Sequence, residues 1–204
     1  MSSDVADRSP WNHNIAYHRL VLAAAPANRH RALDVGCGEG HLLPHLAAAY
    51  DDVIGLDTDE AALTEAAHRV GELPNVTLIR GDVTSAELPH ALFDLVSAVA
   101  VLHHLPLRSG LARLADLVRP GGCLVVVGLA RSASPLDYAW GAAGLPASKV
   151  LRLVRGHTPV TAPMVDPTQT LADIRQAAAE ITPGARIRRH LLFRYSLTWT
   201  RPPD

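Results

Sequence analysis

The sequence has few of the cysteines and none of the long apolar runs that are typical of disulfide-rich, cysteine-liganded metal-binding or membrane-spanning proteins. Its 204 residues include only two cysteines, Cys37 and Cys123, too few for a disulfide framework or a thiolate metal cage. No stretch approaches the roughly 18 uncharged apolar residues of a membrane span, and the first residues contain no basic segment followed by an apolar run. We therefore expect a cytoplasmic protein that contacts no membrane.

The sequence also has no marked excess of charge of either sign. The formal net charge is -1 at pH 7, so there is no general positive field to attract nucleic acid. A local basic run near the C-terminus is attributed to a solvated strand face or a guarded sheet edge. Its members are Arg186, Arg188, Arg189, Arg194 and Arg201. We expect a small-molecule partner and no nucleic-acid partner.

Short apolar runs alternate with segments of helical period through the middle of the chain. Hydrophobic residues make up 48% of the sequence and charged residues 19%, as in a globular domain with one continuous core. The runs are ALDVG, DVIGLD, VTLIRGD, FDLVSAVAV and CLVVVGL, starting at residues 32, 52, 76, 93 and 123. Unbroken runs are typical of parallel strands covered on both faces by helices. The pattern predicts an α/β fold with a Rossmann-like, doubly wound sheet.

We predict a single domain over residues 1–204, with four parts. They are a helical cap at 1–30, a core at 31–130, a lid or substrate-binding insertion at 131–167, and a final helix with a β-hairpin at 168–204. The cap is predicted from a helical segment at 11–25. The insertion contains five prolines, and a connection of this length inside one domain is usually functional.

Three glycines follow the first predicted strand and directly precede a helix. The segment is Asp34-Val-Gly36-Cys37-Gly38-Glu-Gly40. Glycines permit positive φ and close approach of the backbone to a ligand, while N–H groups at a helix start attract negative charge. A dinucleotide fingerprint would need a third glycine at position 41, which is His41. A nicotinamide-dependent oxidoreductase is therefore kept as an alternative that the spacing disfavours.

The glycines and the acid two positions before them resemble the first motif of class I S-adenosylmethionine-dependent methyltransferases, in the small-molecule, type 11/12-like branch. Further matching segments occur in order over about residues 31–129. They are Asp57 after the second run, Gly81-Asp82-Val83 after the third, the fourth-run segment from Phe93 to His104, and Arg119-Pro-Gly-Gly122. The resemblance implies seven strands, mostly parallel, with one antiparallel strand near the C-terminal edge. It also implies S-adenosylmethionine as cofactor and S-adenosylhomocysteine as product.

The resemblance places the cofactor at three strand ends. Asp57 is expected to accept hydrogen bonds from both ribose hydroxyls, and capping of the next helix is its competing role. Asp34 either supports the loop or contacts the ligand. Cys37 is expected to be a small residue tolerated in the loop, because no histidine or lysine is placed to activate it. The expected cofactor-binding residues are Asp34, Gly36, Cys37, Gly38, Gly40, Asp57, Thr58, Gly81, Asp82, Val83, Ser97, Ala98 and His103.

Histidines and one tyrosine are the candidate catalytic residues. Methyl transfer is an in-line displacement, so the protein must hold the acceptor near the methyl group and receive a proton from a hydroxyl, amine or enol. Histidine suits this task. The candidates, in order of preference, are His104, His103, His18 and His13, with Tyr17 beside the last two. The competing interpretations are loop histidines bonded to backbone and a surface helix with incidental histidines.

We expect no metal site. His41 and His45 have i, i+4 spacing on the first crossover helix, and we expect both to face solvent. A non-catalytic module that binds S-adenosylmethionine as a sensor or scaffold is a second alternative to the enzyme. The sequence leaves the methyl acceptor and the attacked atom open. Either a monomer or a homodimer is expected.

Overall fold

Seven strands form one sheet in the computed structural model, which describes residues 15–133, 166–190 and 194–203. The strands are β1 Arg31–Val35, β2 Asp52–Asp57, β3 Val76–Arg80, β4 Phe93–Val99, β5 Val118–Leu129, β6 Arg186–Arg189 and β7 Arg194–Thr200. Their order across the sheet is β3-β2-β1-β4-β5-β7-β6. Neighbours from β3 to β5 pair in parallel, whereas β7 is antiparallel to both β5 and β6. The predicted seven-stranded sheet with one antiparallel strand near the C-terminal edge is confirmed.

Helices cover both faces of this sheet. They are α1 His18–Ala23, α2 Leu43–Ala47, α3 Glu60–Val70, α4 Leu107–Leu117 and α5 Leu171–Ile181, with 3₁₀ turns at Ile15–Tyr17 and Leu102–His104. Successive strand residues enter two different buried clusters, because strand side chains alternate between faces. Leu124 in β5 belongs to the cluster with α4 and α5, whereas the next residue, Val125, belongs to the cluster with α1 and α2.

Local capping explains where two helices begin. The Asp59 carboxylate accepts hydrogen bonds from the N–H groups of Ala61 and Ala62 and so caps α3. Thr170 and Asp173 form a reciprocal capping box at the start of α5. These caps satisfy N–H groups that have no partner within a helix. The predicted final helix, LADIRQAAAEI, has the same bounds as α5.

The predicted connection between α4 and β5 is wrong in detail. In the sequence, Pro120, Gly121 and Gly122 predict a helix that ends at the proline and a glycine turn into the next strand, but α4 ends at Leu117 and β5 already begins at Val118. Val118 pairs with Phe93, and the register shifts before the next pairing. A Cβ on Gly122 would lie 2.8 Å from the Phe93 carbonyl oxygen. The glycine therefore permits close approach of two strands at an irregularity in the sheet.

Both ends of the predicted insertion lie at the carboxyl end of β5. Arg131 forms a parallel β-bridge with Thr170, and its N–H donates to the carbonyl of Gln169 at 2.8 Å. Residues 134–165, which carry most of the insertion, lie outside the described residues, as do residues 1–14 of the predicted cap. No helix among the described residues has both the length and the apolar character needed to cross a membrane.

Candidate functional site

The glycine loop, residues 36–40, joins β1 to the segment before α2. Gly36, Gly38 and Gly40 all have positive φ, at 65°, 53° and 76°. The N–H groups of Gly36 and Cys37 donate to the carbonyl of Leu56 at 2.7 and 3.1 Å, which fixes the loop to β2. A Cβ on Gly38 would meet nothing within 4 Å, so the space beside this residue is open. The loop thus combines a fixed base with a backbone that a ligand can approach closely.

Asp57 lies at the carboxyl end of β2, against the glycine loop. Its Oδ2 accepts a hydrogen bond from the Gly38 N–H at 2.7 Å, and its Oδ1 accepts one from the Asp59 N–H at 2.9 Å. The cap of α3 is Asp59, so the alternative role of Asp57 as the helix cap is wrong. Thr58, between them, is exposed. The structure therefore brings the carboxylate of Asp57 and the glycine loop together at one point.

Asp34 lies within β1, below the glycine loop, and is only 4% exposed. Its Oδ1 accepts a hydrogen bond from the Ser97 hydroxyl of β4 at 2.7 Å. Burial raises the pKa of Asp34 to about 7; the Ser97 hydrogen bond lowers it, and the Asp57 carboxylate raises it further. Asp34 and Ser97 form a buried pair that links β1 to β4. The neighbouring candidate, Ala98, has its side chain in the core cluster on the opposite face.

Cys37 is buried inside the glycine loop. Its sulfur would lie 3.1 Å from a Cβ on Gly55, so it fills space against β2. Burial raises the pKa of the thiol far above its ordinary value, and the carboxylates of Asp34 and Asp57 raise it further. The thiolate is the nucleophilic form of cysteine. The group present at neutral pH is therefore an unreactive thiol.

The third strand end lies next to the second. The Gly81 N–H donates to the Asp57 carbonyl at 2.9 Å, which ties the ends of β3 and β2 together. The exposed Asp82 carboxylate accepts hydrogen bonds from both the N–H and the hydroxyl of Thr84, which lower its pKa. Val83 is buried, and its carbonyl accepts a hydrogen bond from Arg113 at 3.0 Å. Two acidic strand ends therefore flank the edge where the resemblance places an adenosyl group.

Four side chains lie near the start of β7. We call Tyr17, His103, His190 and Arg194 the Arg194 cluster. The rings of Tyr17 and His190 meet edge to face with centroids 5.3 Å apart, and Nε2 of His190 lies 2.7 Å from the Ser196 hydroxyl. The His190 N–H donates to the Arg194 carbonyl at 2.8 Å. Tyr17 and His103 were predicted site residues, whereas His190 and Arg194 were not.

His103 and His104 differ in their surroundings, although their ring centroids are 4.0 Å apart. Burial lowers the pKa of His103 to about 4, and the positive charges of His104 and Arg194 lower it further. Nδ1 of His103 is buried and has no hydrogen-bond partner within the described part of the chain. His104 is exposed, and its N–H donates to the Val101 carbonyl at 2.8 Å. Of this pair, His103 is therefore the more buried histidine and the one whose pKa Arg194 lowers.

The remaining histidine candidates lie elsewhere. His18 is buried beside His45, with ring centroids 6.4 Å apart, and burial with the charges of His45 and His41 lowers its pKa to about 4. His13 lies outside the described residues. His41 does not share a helix with His45, because α2 begins at Leu43, and its side chain is 15% exposed beside Glu39. The expectation that His41 faces solvent is therefore wrong. The described ranges hold no cluster of three or more potential metal ligands.

Arg194 was predicted to belong to a solvated basic run. Instead its Nη1 is buried and has no hydrogen-bond partner among the described residues. Arg194 is the first residue of β7 and pairs with Leu129 at the carboxyl end of β5. The position of Arg194 could have been predicted from the antiparallel strand near the C-terminal edge. A last strand antiparallel to β5 starts at the ligand-binding edge of the sheet, and Arg194 is its first residue.

Comparison with known proteins identifies the family. Residues 32–122 match the family described as "Methyltransferase domain". The chain is 38% identical to an uncharacterized methyltransferase of Mycobacterium tuberculosis over 195 residues, 95% of this chain and 98% of the relative. It is 35% identical to the ubiquinone biosynthesis O-methyltransferase of Hydrogenovibrio crunogenus, covering 81% and 69% of the two chains. The fold matches a SAM-dependent methyltransferase from Aquifex aeolicus at a TM-score of 0.60 and 16% identity, over 89% and 88% of the chains. The chain belongs to the class I S-adenosylmethionine-dependent methyltransferases.

Proposed function

We propose that this enzyme methylates a small molecule held between the glycine loop and the Arg194 cluster. The observation that carries the proposal is the contact between Asp57 and the Gly38 N–H, which places a carboxylate beside an open glycine backbone at the strand edge. A carboxylate here suits the two hydroxyls of a ribose, since each of its oxygens can accept a hydrogen bond. Asp82 supplies a second exposed acid at the neighbouring strand end.

The N-terminal segment brings a further side chain to the proposed acceptor site. Tyr17 contacts His190, which follows β6, whereas the next residue, His18, contacts His45 on α2. The segment thus joins α2 to the hairpin of β6 and β7, and its Tyr17 belongs to the Arg194 cluster. The relative named for ubiquinone biosynthesis supports a small acceptor.

Side chains of this protein provide binding and proton transfer. When bound, S-adenosylmethionine supplies a methyl group on a positively charged sulfur, and S-adenosylhomocysteine remains after transfer. Asp57 and the glycine loop hold and orient the adenosyl part. The pKa of His103, lowered to about 4, keeps the ring neutral at pH 7 but also makes it a weaker base, so it accepts the proton of a hydroxyl, amine or enol as that group becomes more acidic during bond formation. His103 replaces the exposed His104 as the preferred base, because it is half-buried and belongs to the Arg194 cluster.

Calorimetric titration tests the cofactor part of the proposal. We expect S-adenosylmethionine and S-adenosylhomocysteine to bind, whereas NADH does not. The variant Asp57→Asn keeps an oxygen for the Gly38 N–H but removes the charge, so S-adenosylhomocysteine should bind roughly tenfold or more weakly. Asp59→Asn removes the neighbouring charge while keeping the helix cap, and should leave the affinity unchanged. Equal losses in the two variants, or tight NADH binding, would contradict the proposal.

Isotope transfer tests the catalytic part. The enzyme would be incubated with a metabolite pool and S-adenosylmethionine labelled in the methyl group, and products would be identified by mass spectrometry. We expect a labelled product of low molecular mass and an equal amount of S-adenosylhomocysteine. Cofactor binding without transfer to any component of the pool would favour the non-catalytic module.

A further inference from the structure

Arg194 is a partly buried cation placed at the ligand-binding edge of the sheet. Its pairing with Leu129 puts it beside the last residue of β5, which is where a parallel sheet presents its ligands. Other arginines of the hairpin, such as Arg186 and Arg188, are exposed. Water therefore surrounds those arginines, whereas the buried Nη1 of Arg194 needs a partner from another source.

The described residues offer no anion to this guanidinium. No ion pair to Arg194 occurs among the described residues, and its Nη1 has no hydrogen-bond partner there. Burial lowers the pKa of Arg194, and Tyr17 is the only described group that raises it by its charge. Arginine nevertheless stays protonated in proteins. An unpaired buried charge destabilises a folded protein, so its retention at this edge points to a ligand that supplies the missing negative charge.

The neighbours of Arg194 fit an oxygen-rich anion. The Tyr17 hydroxyl can donate a hydrogen bond, and so can a ring nitrogen of His190 in the appropriate tautomer. A guanidinium offers parallel N–H donors that match two oxygens of one carboxylate or phosphate. The N-terminal segment and the β6–β7 hairpin therefore supply donors from Tyr17 and His190 and a positive charge from Arg194. An uncharged apolar acceptor would leave these groups unsatisfied.

The segment between β4 and α4 links the Arg194 cluster to the glycine loop. Val101 packs against the glycine loop so closely that a Cβ on Gly36 would lie 2.2 Å from its Cγ2. His103 follows two residues later in the chain, and the positive charge of Arg194 lowers its pKa. The segment from Val101 to His103 therefore connects the glycine loop to the Arg194 cluster. This connection suits an acceptor held at Arg194 and methylated at another position of the same small molecule.

We infer that Arg194 binds an anionic oxygen group of the methyl acceptor, a carboxylate or a phosphate, with Tyr17 and His190 as neighbouring donors. The inference rests on the proposed function, since it names the substrate class of the same site. Arg194 is then a specificity-determining residue, and neutral analogues of the acceptor are poor substrates.

A binding experiment on the full chain saturated with S-adenosylhomocysteine tests this inference. The probes are benzoate and succinate, the matched neutral amides benzamide and succinamide, and phenyl phosphate with phenol as its neutral counterpart. We expect at least one anion to bind wild-type protein about 10- to 100-fold more tightly than its neutral counterpart, as for a charge-assisted hydrogen bond. Preference within the carboxylate pairs identifies a carboxylate, and preference within the phosphate pair identifies a phosphate.

Matched arginine variants assign the preference to one side chain. Arg194→Gln should abolish the preference for the anion, whereas Arg186→Gln, which removes the same charge from the exposed face of β6, should keep it. An unchanged preference in Arg194→Gln, or no preference in wild-type protein, overturns the inference. Affinity for S-adenosylhomocysteine should be equal in all three proteins. If wild-type protein does not bind S-adenosylhomocysteine, the proposed function has failed, which is a different outcome from failure of this inference.

Stability distinguishes ligand binding from a structural role. A buried guanidinium without a partner costs stability, so the melting temperature of ligand-free Arg194→Gln should equal or exceed that of wild-type protein. A clear decrease would show that Arg194 supports the fold, and would overturn the inference. If Arg194→Gln does not fold, Arg194→Lys keeps the charge but loses the forked donors, and should bind the same anion more weakly than wild-type protein.

Discussion

At the scale of single residues, Asp34 couples folding to pH. Burial is the main reason that its pKa is about 7 in the folded protein, compared with an ordinary value of 3.8. Between these values the folded protein binds a proton that the unfolded chain does not. The free energy of unfolding therefore decreases as pH rises from about 4 to about 7, by up to about 1.4 kcal/mol per pH unit.

The variant Asp34→Asn tests this coupling. Its amide oxygen can still accept the Ser97 hydrogen bond, but the side chain cannot titrate. We expect the stability of the variant relative to wild-type protein to improve steadily between pH 4 and pH 7, as measured by urea unfolding without ligand. Glu65→Gln, at an exposed position of α3, is the control and should follow the wild-type profile. Parallel profiles for Asp34→Asn and wild-type protein would contradict the assignment.

At the scale of elements, the glycine loop contains two positions with the same backbone requirement and different surroundings. Gly38 and Gly40 both have positive φ, which costs a residue with a Cβ about 1–2 kcal/mol. A Cβ on Gly38 would enter open space, whereas one on Gly40 would lie 2.9 Å from the Cβ and 3.1 Å from the Cα of Ala66 in α3. A Cβ at Gly40 would therefore also overlap with Ala66 of α3, in addition to the backbone strain.

We expect Gly40→Ala to destabilise the protein more than Gly38→Ala does. The difference should be about 1–3 kcal/mol, the typical cost of overpacking a close contact. Chemical denaturation of the ligand-free proteins measures both values, and Gly38→Ala serves as the control for backbone strain alone. Equal costs in the two variants would show that α3 yields to the extra methyl group.

Some helix boundaries can be predicted from the local sequence, whereas others depend on contacts between distant residues. The start of α5 follows from Thr170 and Asp173, which act within one turn, so a local pattern was sufficient there. The end of α4 depends on pairing between Val118 and Phe93, which are far apart in the sequence. Pro120, Gly121 and Gly122 predicted a turn between helix and strand, but they lie inside β5, and a local pattern could not reveal the partner strand.

The residues of the candidate site also fall into two groups, those that a local motif predicts and those that strand pairing places. The glycine loop and Asp57 were predicted because they carry a motif whose residues are close together or stand at a strand end. Arg194 and His190 carry no local motif, and their place depends on the antiparallel register of β7 against β5. His41 was misplaced because the helix pattern did not reveal that α2 begins only at Leu43.

At the scale of the whole molecule, ligand binding should stabilise the fold. The glycine loop, Asp57 and Asp82 come from separate strand ends that are brought together only in the folded chain. At 100 times its dissociation constant, a ligand that binds only the folded state adds about 2.7 kcal/mol to the free energy of unfolding. For a chain of this size, that corresponds to about 5–10 °C in melting temperature.

Differential scanning calorimetry with S-adenosylhomocysteine measures this stabilisation. NADH at the same concentration is the control and should leave the melting temperature unchanged. Asp57→Asn should require a higher concentration of S-adenosylhomocysteine for the same increase. A similar increase with NADH would show that the glycine loop does not discriminate between the two adenosine-containing ligands.

The bridge between Arg131 and Thr170 has a consequence for the length of the sequence between them. The bridge brings residues 131 and 170 together, so both ends of the intervening sequence are held at the carboxyl end of β5. For flexible segments, the entropic cost of holding two ends together grows only slowly with length. We therefore expect changes in the length of the intervening sequence to leave the pairing of β5 with β4 and β7 intact.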